Sequence, residues 1–463
     1  AGETAATIAY DSAGGYTWTS AEGQQAAVEL APGGIASEVS VGGTTASELV
    51  YDASGKLVGA QLADGSQLQF GIDDQGRLLS VTDPTGATIR YGYAGDSTRP
   101  SSFTDATGST RQFSYDQDGR LSEATWGDGS SLQFNYDAQG QIIGYSNRRG
   151  DASTYDYDTN GQLVSRTEAG GATVYAYDSL GRVVSATTAA GTAQASTTEL
   201  GYDSANRVTR IEYPDGRSLD YSYDAAGRRT GMIDQDGNVQ SYSYDAAGRL
   251  ATVSYNGSQV VAYRYDGDGR LSEEANGNGT ATTYSYDARG QLSAIINLAA
   301  DGSESSAYRY SYDAAGQRVG MQTPHGTWAY GHDASGQLTS AQFTVNATGA
   351  SAGLHDKSLA YAYDAAGNRS SVTEDGVQTA YSSNALNQYT QVGNTTYTYD
   401  ADGNQTSKTV NAETWNYAYN ANNRLVQITG PQGELTRYEY DVFGNRSAMV
   451  DGGVRTEFLV DPF

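Results

Sequence analysis

Apolar and polar positions alternate with period two in short runs along most of the chain. Leu68, Phe70 and Ile72 form one run, Leu132, Phe134 and Tyr136 another, and Leu219, Tyr221 and Tyr223 a third. Tyrosine pairs continue it at Tyr242/Tyr244, Tyr263/Tyr265, Tyr284/Tyr286, Tyr397/Tyr399, Tyr417/Tyr419 and Tyr438/Tyr440, separated by small or polar residues such as Ser243 and Arg264. Successive side chains of a strand point to opposite faces, so the pattern predicts strands with one aromatic face. No stretch carries the period of a credible amphipathic helix.

Each run ends in a recurring phrase. At Tyr244 it reads Tyr-Asp-Ala-Ala-Gly-Arg-Leu, and close variants start at Tyr51, Tyr115, Tyr136, Tyr157, Tyr177, Tyr202, Tyr223, Tyr265, Tyr286, Tyr312, Tyr363, Tyr399, Tyr419 and Tyr440. Weaker copies start at Ile72 and His332, and from Tyr202 to Tyr286 the spacing is 21 residues, four times in succession. The phrase predicts a turn. Its Asp hydrogen-bonds backbone N–H groups beyond it, and its Gly takes a left-handed conformation, giving a type I turn followed by a bulge. Asn206 and Asn423 replace that Gly in two copies, and Asn is the residue that next best tolerates positive φ. Arg-Leu or Gln-Leu then opens a second strand. A second turn follows at Asp64-Gly65, Asp128-Gly129, Asp215-Gly216, Asp236-Gly237, Asn256-Gly257 or Asp375-Gly376. A hairpin alone is marginal in water, so units of two strands must stack on their neighbours. The expected fold class is all-β, built of repetitive antiparallel hairpins. Tyr223, Asp224 and Gly227, Tyr244, Asp245 and Gly248, and Tyr265, Asp266 and Gly269 are its expected structural residues: Tyr for stacking between units, Asp for the turn, Gly for the left-handed bend.

Residues 1–50 fit the repeat poorly, apart from Tyr10-Asp11-Ser12-Ala13-Gly14, and read as degenerate N-terminal repeats or a cap; 51–463 read as the repeat region. Longer gaps at 183–201, 293–311 and 339–362 predict lengthened loops, with Ala347 to His355 the best candidate for a flexible one. The start at Ala1 without Met suggests a mature or excised piece. The uncapped ending Asp461-Pro462-Phe463 leads to the expectation that more chain follows.

Composition narrows the function. The 463 residues hold 28 Lys+Arg against 54 Asp+Glu, a net charge of −26, and no Cys. Disulfides, thiol catalysis and Cys-ligated zinc are excluded. Nucleic acid is excluded as a partner, because its binding needs clustered cations. No run approaches the roughly 18 apolar residues of a membrane span, so membrane insertion by this segment is not expected. Phe is scarce at 8 against 37 Tyr, which suggests an aromatic face that is only partly dry.

The phrase Tyr-Asp-x-x-Gly-Arg-Leu at about 21-residue spacing resembles the RHS/YD-repeat family over residues 51–446 and more loosely over the whole chain. That family includes bacterial polymorphic toxin shells, Tc toxin cocoon components, wall-associated bacterial proteins and the teneurins. The resemblance implies a sheet that spirals into a hollow shell, or part of one. It implies a secreted or cell-surface, bacterial setting and, as partner, the protein's own C-terminal toxin or cargo domain. In the toxins, Asp-Pro-x-Gly motifs after the repeats mark aspartyl self-cleavage. Here Asp461-Pro462 begins such wording, whereas Asp83-Pro84-Thr85-Gly86 sits at the second turn of an ordinary repeat and reads as a turn.

The pairs Asp116/Asp118, Asp266/Asp268 and Asp400/Asp402 recur within the repeated turn, and catalytic sites are normally singular; they and Glu273/Glu274 read as turn capping and solvated surface. Single turns offer too few oxygens for a specific calcium site. His332 stands in for a repeat Tyr, His325 lies in a turn and His355 in the irregular loop. No catalytic, cofactor or metal residue is assigned. The repeated Arg (Arg77, Arg120, Arg182, Arg207, Arg228, Arg249, Arg270) is expected to pair with the Asp of its own turn at little net energy. The leading expectation is a non-enzymatic shell-wall segment. The alternative is an adhesion or glycan-binding module meeting a cell-surface protein or glycan, and a third reading is a polysaccharide-cleaving enzyme with one acidic cleft.

Overall fold

The computed structural model describes residues 7–10, 16–19, 25–31, 35–41, 44–62, 65–192 and 195–462, with side chains from Glu48 onward. Asp11–Gly14, Asp64 and Phe463 lie outside the described residues. Among the described residues, forty-three strands run from Thr7–Tyr10 to Val454–Glu457, with one short helix. The described pairings are antiparallel and join strands adjacent in the chain. No helix among the described residues is long and apolar enough to cross a membrane.

The chain forms two compact units. One comprises Ala1–Gly108, Ser243–Ser254 and Ser258–Ala380; the other comprises Ser109–Tyr242, Tyr255–Gly257 and Tyr381–Phe463. In the first, the strands from Thr7–Tyr10 to Thr44–Tyr51 already pair as a meander that continues into Leu57–Leu62. Among the described residues, buried side chains there are few and mostly small, such as Ala60, Ala307 and Ala341. The second unit holds the main buried cluster: Ile211, Tyr213, Leu219 and Tyr221, joined by Met232 and Leu459.

The repeat turn has one geometry. Gly227 has φ 84°, Gly248 85° and Gly269 83°, while Asn206 and Asn423 adopt 63° and 58° at the same position. Beside each turn the register slips by one residue, as between Ser222 and Tyr223 and between Arg264 and Tyr265. The second turns fall into two kinds. Asn256-Gly257 and Asp375-Gly376 place both central residues at positive φ, the type I′ geometry that suits strand twist. Others, such as Trp126 to Ser130, repeat the left-handed Gly at the fourth position.

Two sequence expectations are corrected. The gaps at 183–201 and 293–311 hold lengthened strands rather than lengthened loops: Val183–Ala190 with Ser196–Tyr202, and Leu292–Leu298 with Glu304–Tyr312. The runs of Thr, Ala, Ile and Ser there simply extend the ladder. Ala347 to His355 is not a wholly irregular loop, because Ala347–Ser351 is a helix whose Asn346 side chain accepts the Gly349 N–H. Leu338–Val345 and Lys357–Tyr363 flank it as regular strands.

Candidate functional site

Each repeat turn is built around its Asp. Asp224 Oδ1 accepts from Ala226 N and Arg228 N, both at 2.9 Å, and Oδ2 accepts from Arg228 Nε at 2.7 Å. Asp245 and Asp266 make the same contacts with Arg249 and Arg270. The N–H groups and the guanidinium that face Asp224 and Asp245 hold both carboxyls below their ordinary value, with the backbone bond from the repeat Arg the largest cause.

Two further contacts join one repeat to the next, and the sequence did not disclose them. The hydroxyl of a repeat Tyr donates to the carbonyl of the Leu or Val that opens the strand before it. Tyr223 reaches Val208 at 2.7 Å, Tyr265 reaches Leu250 at 2.8 Å and Tyr286 reaches Leu271 at 2.9 Å. Over the ring of that Tyr lies the guanidinium of the preceding repeat: Arg207 over Tyr223 at 4.7 Å, Arg249 over Tyr265 at 4.4 Å and Arg270 over Tyr286 at 4.5 Å. Arg182 and Arg207 also donate to the carbonyl of the next repeat's Asp. The Arg is therefore more than a local partner of its Asp: it clasps two units. Ring-on-ring contacts at other positions include Phe134–Tyr145 and Tyr91–Phe103. At Tyr223, Tyr265 and Tyr286 a cation stacks on the ring. Where Gln replaces Arg, its amide reaches the next turn's Gly carbonyl, as Gln141 does to Gly161 at 3.0 Å.

Within the second unit, two sites join distant parts of the chain. At the first, Arg149 Nη1 meets Asp400 Oδ2 at 2.8 Å, its Nε lies 3.0 Å from Asp402 Oδ2, and its Nη2 donates to the Asn420 carbonyl at 2.7 Å. Arg148 N donates to Asp402 Oδ1 at 2.8 Å, and the Asn422 amide donates to Glu168 at 3.0 Å. The Asp402 side chain is only 4% exposed, and this burial raises its pKa. Burial pushes Asp400 the same way, but hydrogen bonds from Asn404 and Arg149 outweigh it and leave its pKa lowered.

The second site holds Leu459–Asp461. Leu459 packs against the Ile211–Tyr221 cluster, Tyr213 donates to the Val460 carbonyl at 2.7 Å, and Tyr221 donates to Asp461 Oδ1 at 2.9 Å. Arg229 pairs with Asp461 Oδ2 at 2.5 Å while its guanidinium lies over the rings of Tyr221 and Tyr242. Burial first, and then the nearby carboxylates, raise Tyr213 and Tyr221 well above the usual phenol range. For Arg229, burial opposes the charge and Asp461 more than offsets it.

The remaining candidates resolve into turns and pairs. Asp116 caps its turn, and Asp118 lies 2.9 Å from Arg120. Glu273 pairs with Arg264 at 2.8 Å. Asp83 Oδ1 accepts from Thr85 N and Ala87 N and Gly86 has φ 91°, so Asp83–Gly86 is a turn. His332 opposes Leu338 in the register a repeat Tyr occupies. Among the described residues no group of three or more His, Asp or Glu is placed to hold a metal.

Strand meander and clasp together define a YD-repeat β-sheet protein. A family model described as Teneurin YD-shell matches residues 7–130, 128–284 and 215–328, and the chain belongs to that family. A second model, RHS Repeat, matches residues 419–454. A search of curated protein sequences found no significant match. Among solved structures, a mutant Photorhabdus luminescens Tc holotoxin pore is similar over 96% of this chain, at 18% identity and a TM-score of 0.60. TcdB2-TccC3-TEV is similar over 98%, at 18% identity and 0.61. TcdB2-TccC3 without its hypervariable C-terminal region is similar over 97%, at 15% identity and 0.59. The chain spans 25%, 26% and 30% of those three chains. At such identity the likeness is one of fold.

Proposed function

We propose that this chain is a non-enzymatic segment of the wall of a secreted or cell-surface β-sheet shell that encloses a C-terminal toxin or cargo domain. The observation that carries this reading is the inter-repeat clasp. The Tyr hydroxyl, the Arg guanidinium and the turn Asp are all engaged in joining one unit to the next, as suits a continuous wall. Membership of the teneurin YD-shell family and the fold likeness to Tc toxin components support it. Encapsulation would work by exclusion: a hydrogen-bonded sheet keeps proteases out, and a chain with a charge of −26 offers an unfolded cargo few apolar surfaces to adhere to.

The test is to express the chain with its natural flanking sequence, image the particles by cryo-electron microscopy and follow protease digestion of the downstream segment. A hollow particle with the downstream segment protected is the expected result. An open stack whose downstream segment is cut as fast as a free peptide would overturn the proposal and make adhesion the working reading.

A further inference from the structure

At four places the repeat departs from its pattern in the same way. Tyr221–Arg229, Tyr310–Arg318, Tyr361–Arg369 and Tyr438–Arg446 each read Tyr-x-Tyr-Asp-x-x-Gly-x-Arg, so Arg takes the place usually held by Leu. In each, the Arg opposes the second Tyr of the motif and its guanidinium lies over the ring of the first: 5.4 Å at Tyr221, 4.4 Å at Tyr310, 4.8 Å at Tyr361 and 3.9 Å at Tyr438. The chain has 3 Met, and they sit opposite the first Tyr of three of these motifs: Met232 at Tyr221, Met321 at Tyr310 and Met449 at Tyr438. A Tyr ring, a Met and an Arg thus recur as a set.

One set shows its use. At Tyr221, Arg229 and Met232, Leu459 and Met232 both pack against the buried cluster that holds Tyr221, and Asp461 takes the guanidinium and the Tyr hydroxyl. Leu459–Pro462 lies outside any strand, so these contacts, with the Tyr213 bond to Val460, hold the segment. Chemically the set recognises an extended peptide in which an aliphatic side chain precedes a carboxylate by two residues. Met adapts its shape to the aliphatic group, and Arg stacked on an aromatic ring is preorganised for a carboxylate. Arg318 and Arg446 are exposed, and among the described residues neither has a carboxylate partner.

We infer that the Tyr310–Arg318–Met321 and Tyr438–Arg446–Met449 sets are docking seats for extended polypeptide carrying an aliphatic-x-Asp or aliphatic-x-Glu pattern, equivalent to the seat that Leu459–Asp461 fills at Tyr221–Arg229–Met232. That the polypeptide is the enclosed cargo rests on the function proposed above; the seats themselves do not.

The probe is a labelled synthetic peptide with the sequence of Glu457–Phe463, titrated to millimolar concentration against the full chain by anisotropy and NMR. Binding is expected, with perturbation of the Met321 and Met449 methyl signals. A peptide carrying Asp461→Asn, or the chain carrying Arg318→Gln with Arg446→Gln, should bind about tenfold or more weakly, since a lost charge partner is felt in affinity. The chain variant's thermal midpoint should hold, because both side chains are exposed. Absence of binding, or binding indifferent to Asp461→Asn or to the paired Arg substitutions, would overturn the inference. If the midpoint of the paired variant falls, the methyl signals of the single variants Arg318→Gln and Arg446→Gln decide: each should silence its own seat alone. An open particle with peptide binding intact would sink encapsulation and leave the seats standing.

Discussion

Gly227 isolates the cost of the repeat turn from every packing effect. Its φ is 84°, and a Cβ added there would meet nothing within 4 Å. Substitution therefore probes backbone conformation alone. A left-handed residue with a Cβ costs about 1–2 kcal/mol, and Ala returns about 0.4–1 kcal/mol by restricting the unfolded chain. Gly227→Ala should thus destabilise by about 1 kcal/mol, within the spread those two terms allow. Val, branched at Cβ, is a steric outlier at positive φ and should cost clearly more. Asn should be nearly neutral, because Asn206, Asn387 and Asn423 occupy the same turn position at φ 63°, 61° and 58°. Repeat arrays do not always unfold in one step, so the assay is native-state hydrogen exchange of Ser218–Tyr223 and Arg229–Asp234, read alongside urea midpoints. The expected order of protection is Gly, Asn, Ala, Val. Val equal to Gly, or Asn as damaging as Val, would refute the left-handed account of the turn, and Gly248→Val should repeat the result one unit on.

Tyr265→Phe removes the hydroxyl that reaches Leu250 at 2.8 Å and keeps the ring under Arg249; a loss of about 1–2 kcal/mol is expected, read as faster exchange across Leu250–Tyr255 and Ser258–Tyr265, and no change there would remove the hydroxyl from the clasp. Arg149→Ala leaves Asp400 and Asp402 facing each other without their shared cation and should cost about 3–5 kcal/mol, seen as lost exchange protection at 147–151 and 400–404, while Ala281–Tyr286 keeps its own. Acid should destabilise the repeats. Asp224 and Asp245 have folded pKa values below their ordinary 3.8, so the stability they lend is complete above that value and disappears as pH falls through the lower folded one. Asp402, raised by burial, acts in the opposite sense and softens the loss. A melting temperature unchanged between about pH 5 and pH 2.5 would contradict the turn's electrostatics.

What the sequence discloses is set by distance along the chain. The Asp224 turn closes over four residues, and the Asp and Gly that dictate it stand three apart within one phrase, so the local sequence alone exposes it. Strand faces are equally open, since Tyr221 and Tyr223 stand two apart. The clasp lies one step further: Tyr265 and Leu250 are 15 residues apart, and seeing their bond requires the register of the intervening hairpin. Arg149 and Asp400 are separated by 251 residues, and nothing local to either marks the other. The Ala347–Ser351 helix is too short to show a period, although Asn346 is a recognisable N-cap and was the available signal. The lengthened strands at Val183–Ala190 and Leu292–Leu298 resemble loops in sequence because the turn phrase arrives late, and a late turn lengthens whichever element precedes it.

Arg228 and Arg229 show how one step along the chain changes what a residue does. Arg228 directly follows the turn Gly, so its guanidinium folds back to Asp224, at 2.7 Å from Oδ2. Arg229 is the first residue of the next strand, opposite Tyr223, and its side chain lies over the rings of Tyr221 and Tyr242. The repeat reserves that second position for Leu, as at Leu250 and Leu271, which is the cheapest residue to bury there. Stacking Arg on an aromatic ring holds its guanidinium ready for a carboxylate, and at Arg229 Asp461 supplies one from 232 residues away. The same substitution at Arg318 and Arg446 presents the same stacked guanidinium to solvent. In a repeat this regular, the chain's own consensus defines the structural residue at each position, and a departure made at equivalent places is where recognition is to be sought.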